Sequence, residues 1–281
     1  MPWFSPLSAG PTLPEGGWAG QTVLLTGASG GIGQALVDEL AGAGARLLVT
    51  GRRQPALEAL TARHPGQVTA LVADLTRADD RHRLVESARE AGCTMLVNAA
   101  GVNRVGLFES LSDEEIEALV TLNLTSTLQL TRALLPQLLA AEHGWVVNLG
   151  STFGTIGYPG QAGYCATKFA LRGFTQALRR ELADTRVHVL HVAPRATRTG
   201  MNAPEVEEMN RALSNTMDSP QRVARLVRRA IEAGREETQL GGPERLFARL
   251  NALVPGVVDR ALRRQLPTIR RFIGKPRGDT P

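Results

Sequence analysis

Thr22-Val-Leu-Leu-Thr26, running into Gly27-Ala-Ser-Gly-Gly-Ile-Gly33, is the stretch whose reading decides how this chain is built. The first five residues read as a short buried strand, and from Gln34 to Ala43 the apolar spacing becomes helical. A strand, a glycine turn and a helix amino terminus in that order make an anion site, because backbone amides and the positive end of the helix dipole converge on one point. Glycines at 27, 31 and 33 permit the turn, the close approach of a pyrophosphate and tight packing of helix on strand. In a chain with 29 glycines their number says little; their place between strand and helix gives them meaning.

Working outward, further strand-like runs occur at Arg46 to Thr50, Val68 to Ala73, Thr94 to Asn98, Trp145 to Leu149, Val187 to Val192 and Glu237 to Leu240, with helical stretches between them. The alternation predicts an α/β fold: a Rossmann-type, doubly wound parallel sheet of about seven strands with helices on both faces. Right-handed crossovers would bring the carboxyl ends of the strands to one edge, where ligands bind in such sheets. A length of 281 residues and a 43% apolar content suit one core. Ser112 and Glu115 form a capping-box start for a long helix running towards Pro136 or a little past it. Asn123 falls within that helix, where an asparagine is a poor helix former; on its own it reads as a polar group bonded to a local carbonyl.

The chain has two lysines and two tyrosines, and one of each stands in Tyr164-Cys165-Ala166-Thr167-Lys168. If Ala162 to Leu182 is a helix, this i, i+4 spacing puts phenol and ammonium on one face, one turn apart. A positive charge there would lower the phenol pKa from its usual value near about 10 and make it a usable general acid and base. A surface tyrosine beside a solvated lysine has the same spacing, so neighbouring motifs must decide.

Those motifs are TGxxxGxG from Thr26, Asn98-Ala-Ala-Gly101, Ser151 thirteen residues before Tyr164, and YxxxK. Together they resemble the short-chain dehydrogenase/reductase family, from about Gln21 to about Met201, in the glycine spacing of its redox members. The resemblance implies a nicotinamide dinucleotide held by Gly27, Ser29, Gly31, Ile32 and Gly33, with Asp74 and Leu75 at the adenine and Asn98, Ala99, Ala100 and Gly101 along a ribose. It implies catalysis by Ser151, Tyr164 and Lys168: Tyr164 exchanges a proton with the substrate oxygen, Lys168 keeps the phenol acidic and bonds the nicotinamide ribose, and Ser151 holds the carbonyl. Asn123, matched through Leu122-Asn123-Leu124, would bend its helix and complete a proton relay. Pro194, Thr197 and Thr199 resemble the family's PGxxxT segment at the carboxamide. Arg195 stands where that segment has glycine, which puts the local backbone conformation in question because arginine tolerates positive φ poorly.

At the end of the second strand, Gly51-Arg52-Arg53 lacks the acid that would bond a ribose 2′-hydroxyl and repel a 2′-phosphate. Arg52, with Arg53 as a second candidate, can clamp such a phosphate, so NADP(H) is expected in preference to NAD(H). Val102, Asn103, Phe153, Tyr158 and Pro159 are expected along a largely apolar substrate wall suited to a long-chain or ring-bearing ketone or aldehyde. Gly200 to Asp218 reads as a mobile lid, and Ser219-Pro220 as the start of another helix.

The reading divides the chain into an arm (1–20), an oxidoreductase domain (21–242) and a basic amphipathic extension (243–281). In the extension Leu246, Phe247, Leu250, Leu253 and Val254 have helical spacing amid arginines and Lys275. Such a segment either lies on an anionic membrane or, more simply, packs its apolar stripe on the domain or on another subunit. A net charge of +5 concentrated in this tail, with few aromatics, argues against nucleic acid. The first twenty residues have no basic start or apolar core of a signal peptide, and a cytoplasmic location is expected, possible membrane contact being peripheral. Cys93 and Cys165 form no metal or redox motif. The resemblance further implies a homodimer or homotetramer. Two function classes follow: an NADP(H)-dependent carbonyl reductase or alcohol dehydrogenase, and a redox-silent nucleotide-sensing or membrane-surface protein on the same scaffold; the intact Asn123, Ser151, Tyr164 and Lys168 set favours the first.

Overall fold

β1 (Thr22–Thr26) is buried at all five positions, as a strand covered on both faces must be. In the computed structural model, which describes Leu13 and residues 16–273, it lies third from one edge of a seven-stranded sheet. The other strands are β2 (Arg46–Gly51), β3 (Val68–Val72), β4 (Met95–Asn98), β5 (Gly144–Leu149), β6 (Val187–Ala193) and β7 (Glu237–Gln239). All pairs are parallel and the order is β3-β2-β1-β4-β5-β6-β7. Each expected strand is present, with ends that differ by no more than a residue. Most of the expected arm, and Lys275 with the end of the tail, lie outside the described residues. Gly17–Gly20 form a 3-10 turn whose Trp18 is in the core and donates from Nε1 to Glu232 Oε1 at 2.9 Å, so this part of the expected arm belongs to the body.

The helices among the described residues are α1 (Gly31–Gly42), α2 (Gln54–Arg63), α3 (Ala78–Glu90), α4 (Asp113–Val120), α5 (Ser126–Ala140), α6 (Ala162–Glu181), α7 (Pro204–Ala212), α8 (Pro220–Glu232), α9 (Gly242–Leu253) and α10 (Pro255–Ile273). Alternate residues of one strand serve opposite layers: Val23 and Leu25 of β1 pack with α1, α2 and α8, and Leu24 packs with α3, α5 and α6. The order reverses at β1, between β2 and β4, and that reversal opens a crevice at the carboxyl edge.

The long helix expected after Ser112 begins as predicted, with a complete capping box, but divides in two. A π-helical turn, Thr121–Thr125, separates α4 from α5 and holds Asn123. The extra residue in that turn rotates the asparagine off the helix surface, so its amide reaches another segment instead of a local carbonyl. Pro136 lies inside α5, which continues to Ala140 because Leu134 and Leu138 on either side of it are fully buried.

The tail packs on the domain. Phe247 and Leu250 of α9 join Val258 and Leu262 of α10 against Ile156, while Ile269 of α10 packs with Val206 and Met209 of α7. The expected lid segment therefore contains a helix that shares a small core with the tail.

Behind the carboxyl end of β5, His191 of β6 is fully buried, and neither ring nitrogen has a hydrogen-bond partner among the described residues. Burial pushes its pKa down to about 4, so the ring is neutral filling. It occupies the volume beside Gly150: a Cβ added there would lie 2.1 Å from Nε2. Gly150→Ala should therefore destabilise the protein by about 1–3 kcal/mol through overpacking, seen as a lower thermal midpoint, and His191→Val in the same chain should restore most of it. An unchanged midpoint in the single variant would rule out this packing.

Candidate active site

The glycine turn after β1 is held against the end of β4. Thr26 Oγ1 accepts from the amides of Ala99 and Ala100, at 3.1 and 3.2 Å. Gly27 has φ 70°, and a Cβ on it would lie 2.7 Å from the backbone of Ala100; one on Gly33 would lie 2.1 Å from the Gly27 carbonyl oxygen. Side chains at either position would push the turn off β4 or α1 off the turn. The first amides of α1, those of Gly31, Ile32 and Gly33, have no preceding helical turn to bond to and carry the positive end of the helix dipole.

Around this turn lies a cavity of about 800 Å³. It is bordered by Gly27, Ser29, Gly31, Ile32, Gly33, Arg52, Arg53, Asp74, Leu75, Ala99, Ala100, Gly101, Ser151, Tyr164, Lys168, Pro194, Thr197 and Thr199. Every strand from β1 to β6 delivers at least one of these groups from its carboxyl end or the loop after it, which is why residues spread over 170 positions meet. The Arg53 guanidinium donates to the Ser29 carbonyl oxygen, and Arg52 beside it is exposed. Asp74 Oδ1 accepts from the amide and hydroxyl of Thr76, at 2.9 and 2.8 Å, fixing the turn after β3.

Two predicted residues stand apart from this wall. The Asn98 side chain is buried, donating to Thr131 Oγ1 at 3.2 Å and Asn148 Oδ1 at 2.8 Å, while Asn148 donates to Thr175 Oγ1 at 2.9 Å. It is a rung of a polar ladder joining α5, β4, β5 and α6, because a buried amide must find partners and the strand alternation turns it away from the cavity. Asn123 lies behind the wall. Its Oδ1 accepts from the Val102 amide at 2.8 Å, and its Nδ2 donates to the Val102 carbonyl at 2.9 Å and to Thr167 Oγ1 at 3.2 Å. A Cβ placed on Gly101 would lie 3.2 Å from Asn123 Oδ1 and 3.8 Å from Lys168 Nζ, so amide and ammonium flank the same glycine.

Tyr164 and Lys168 share a face of α6. Lys168 Nζ is buried, donates to the Leu149 carbonyl oxygen at 3.0 Å and sits 5.7 Å from the Tyr164 ring centroid. Burial pulls the ammonium down to about 8. Burial also pushes the Tyr164 phenol up to about 12, with the Ser151 hydroxyl pulling the other way. The expected lowering of the phenol by the lysine is not found: the ammonium faces the ring, and desolvation of the phenolate sets the direction. At neutral pH the pair is a protonated phenol beside a charged ammonium. Phe153 stacks on Tyr158 at 4.9 Å and meets Tyr164 edge-on at 6.5 Å. Cys165, next to Tyr164, is a packed thiol raised by burial, and Cys93 is pushed up to about 11.

Arg195 has no positive φ; Ser214 is the one non-glycine with such a φ among the described residues. Its guanidinium clasps Asp218 through Nε and Nη2, at 2.9 and 2.8 Å, and reaches Glu244 of α9 at 3.4 Å. The backbone doubt raised by its place in the motif is thereby removed, and the charge is neutralised by acids 23 and 49 residues further along the chain. Of the residues expected along a substrate wall, Val102, Asn103, Phe153 and Tyr158 line the cavity, but Pro159 does not. Sequence reasoning missed Phe247, Leu262 and Gln265 there, although Phe247 stood in the apolar stripe. Gln265 Oε1 accepts from the Tyr158 hydroxyl at 3.2 Å.

Comparison with known proteins agrees with this geometry. A protein-family model described as short chain dehydrogenase matches residues 21–210. Nodulation protein G of Rhizobium sp. (strain N33) is 37% identical over 177 residues, 62% of this chain and 72% of that protein. The 3-oxoacyl-acyl-carrier-protein reductase FabG of Escherichia coli (strain K12) is 34% identical over 198 residues, 70% of this chain and 78% of that protein. The crystal structure of a short-chain dehydrogenase from Streptomyces avermitilis superposes with a TM-score of 0.75 at 30% identity, covering 85% of this chain and 96% of that one. The glycine turn against β4, the seven-stranded order and these matches lead to one conclusion: the chain belongs to the short-chain dehydrogenase/reductase family of oxidoreductases.

Proposed function

We propose that this protein is an NADP(H)-dependent reductase of an apolar ketone or aldehyde, running in reverse as an alcohol dehydrogenase. The observation that carries the reading is the convergence of Ser151, Tyr164 and a buried Lys168 on the cavity that the glycine turn borders. The residues present fit a dinucleotide: Gly27 and Gly33 leave no room for side chains, and the first amides of α1 would hold its pyrophosphate. Asp74 and Leu75 would flank the adenine, Ala99 to Gly101 a ribose, and Pro194, Thr197 and Thr199 the carboxamide. Asn98 supports this wall from behind. Bound nicotinamide supplies the hydride that the carbonyl carbon receives.

The chain's own groups handle the oxygen. Ser151 donates a hydrogen bond to the carbonyl oxygen and orients it. Tyr164, protonated at neutral pH, gives its hydroxyl proton to that oxygen as negative charge develops. Lys168 stabilises the phenolate left behind and would donate to the nicotinamide ribose of a bound cofactor. Asn123 holds the Val102 segment and the α6 hydroxyl of Thr167 in register with the lysine. Apolar groups from α7, α9 and α10 around the far end favour a substrate with a long or ring-bearing apolar part. Exposed Val120 on α4 and Phe169 on α6 support a homo-oligomer built on those helices.

Tyr164→Phe should lower turnover of a reduced carbonyl at least ~10²-fold while leaving NADPH binding, followed by fluorescence titration, nearly unchanged. A variant with wild-type turnover would remove Tyr164 from the mechanism. The charged Lys168 is the required form and its pKa is lowered to about 8, so reduction should be level at lower pH and decline as pH rises through about 8. A rate that stays level well above that pH would contradict the role. Because Gly51 leaves no acid at the end of β2, Arg52→Asp should shift the ratio of NADPH to NADH efficiency towards NADH by about tenfold or more; an unchanged ratio would exclude Arg52 as the phosphate clamp.

A further inference from the structure

We propose that the outer faces of α9 and α10 dock this protein on an anionic lipid surface. The two helices are two-sided. Phe247 and Leu250 of α9, and Val258, Leu262 and Ile269 of α10, face the body. On the opposite side α9 exposes Arg245, Leu246, Arg249 and Leu253, and α10 exposes Val257, Arg260, Arg263, Arg264, Arg270 and Arg271. With about 100° per residue these α10 positions fall on the half of the helix away from Val258 and Leu262. Seven exposed arginines therefore stand against one exposed acid, Asp259, across residues 242–273.

The elbow between the helices adds what a simple solvated face would lack. Leu253 is 80% exposed, Val257 51% and Val254 45%, with Leu246 at 60% two turns before Leu253. Leaving four large apolar side chains in water at one corner, flanked by arginines, forgoes burial that the fold achieves elsewhere. An acyl-chain boundary takes the apolar elbow, and the headgroup phosphates above it take guanidinium groups. A second copy seated isologously on this face would set the arginines against their own equivalents. Nucleic acid would match the charge but leave the apolar elbow without a partner. No helix among the described residues is long and apolar enough to cross a membrane, so the contact is peripheral. The inner sides of the same helices contribute Phe247, Leu262 and Gln265 to the cavity. Docking would thus bring its substrate end close to molecules dissolved in the lipid.

The test is co-sedimentation of the full chain with vesicles of phosphatidylcholine alone or enriched in phosphatidylglycerol, independent of turnover. Binding should favour the anionic vesicles by about tenfold or more and weaken with added salt. The variant Leu253→Asp/Val257→Asp should lose about tenfold in partitioning, as should Arg260→Glu/Arg264→Glu, with thermal midpoints unchanged because all four positions are exposed. Absence of binding, equal binding to both vesicle types, or binding that neither variant weakens overturns the proposal. So does light scattering that shows the apolar variant turning a dimer into a monomer without affecting vesicle binding. Should NADPH turnover fail while these results hold, only the catalytic reading falls.

Discussion

Holding the Lys168 ammonium out of water, with one backbone carbonyl and one aromatic ring for company, is the constraint on which the rest of the structure depends. An isolated buried cation is costly, so its surroundings have to be exact in shape and dipole. β5 must end at Leu149 so that its carbonyl points at Nζ. The loop through Gly154 must pass close to α6, where a Cβ on that glycine would lie 2.8 Å from the Lys168 carbonyl oxygen. The π-helical turn must bring Asn123 to the far side of Gly101. Each of these is a backbone arrangement, and together they set both the lysine pKa and the place where the phenol meets the cavity.

Two buried polar systems fasten that arrangement to the fold. The ladder from Thr131 through Asn98 and Asn148 to Thr175 ties the carboxyl ends of β4 and β5 to α5 and α6, the helices nearest the site. At the other side of the cavity the Arg195 clasp joins the loop after β6 to Asp218 and to α9. Where the family motif has a glycine, this chain has a charge that connects the loop after β6 to the tail. The tail in turn supplies cavity wall through Phe247, Leu262 and Gln265, so the segment least like the family pattern borders the same cavity as Ser151 and Tyr164.

Strands were legible because a sheet covered on both faces demands nearly continuous apolar runs, as in Thr22–Thr26 and Gly144–Leu149. Ser151, Tyr164 and Lys168 were legible through spacing, since one helix face and one strand end fix their relation. The π-helical turn was legible only as the bend that the resemblance implied at Asn123, because the inserted residue is stabilised by a bond to Val102, 21 positions away. For Asn98 motif membership did not say which way the side chain turned, and its bonds to Thr131 and Asn148 did. The pKa order in the Tyr164–Lys168 pair also escaped, because desolvation depends on everything packed around it.

The amino-acid sequence by itself determined the α/β class, the parallel sheet with its strands, the glycine turn and the spacing that puts Tyr164 and Lys168 on one helix face, since these rest on periodicity, chirality and short-range spacing. Tertiary structure alone decided that Lys168 is buried, that Arg195 is neutralised by Asp218 and Glu244, and that α9 and α10 fold back over the cavity with an apolar elbow outward. Those outcomes depend on contacts between segments far apart in the chain, and their energies are set by burial and by partner geometry that no local pattern encodes.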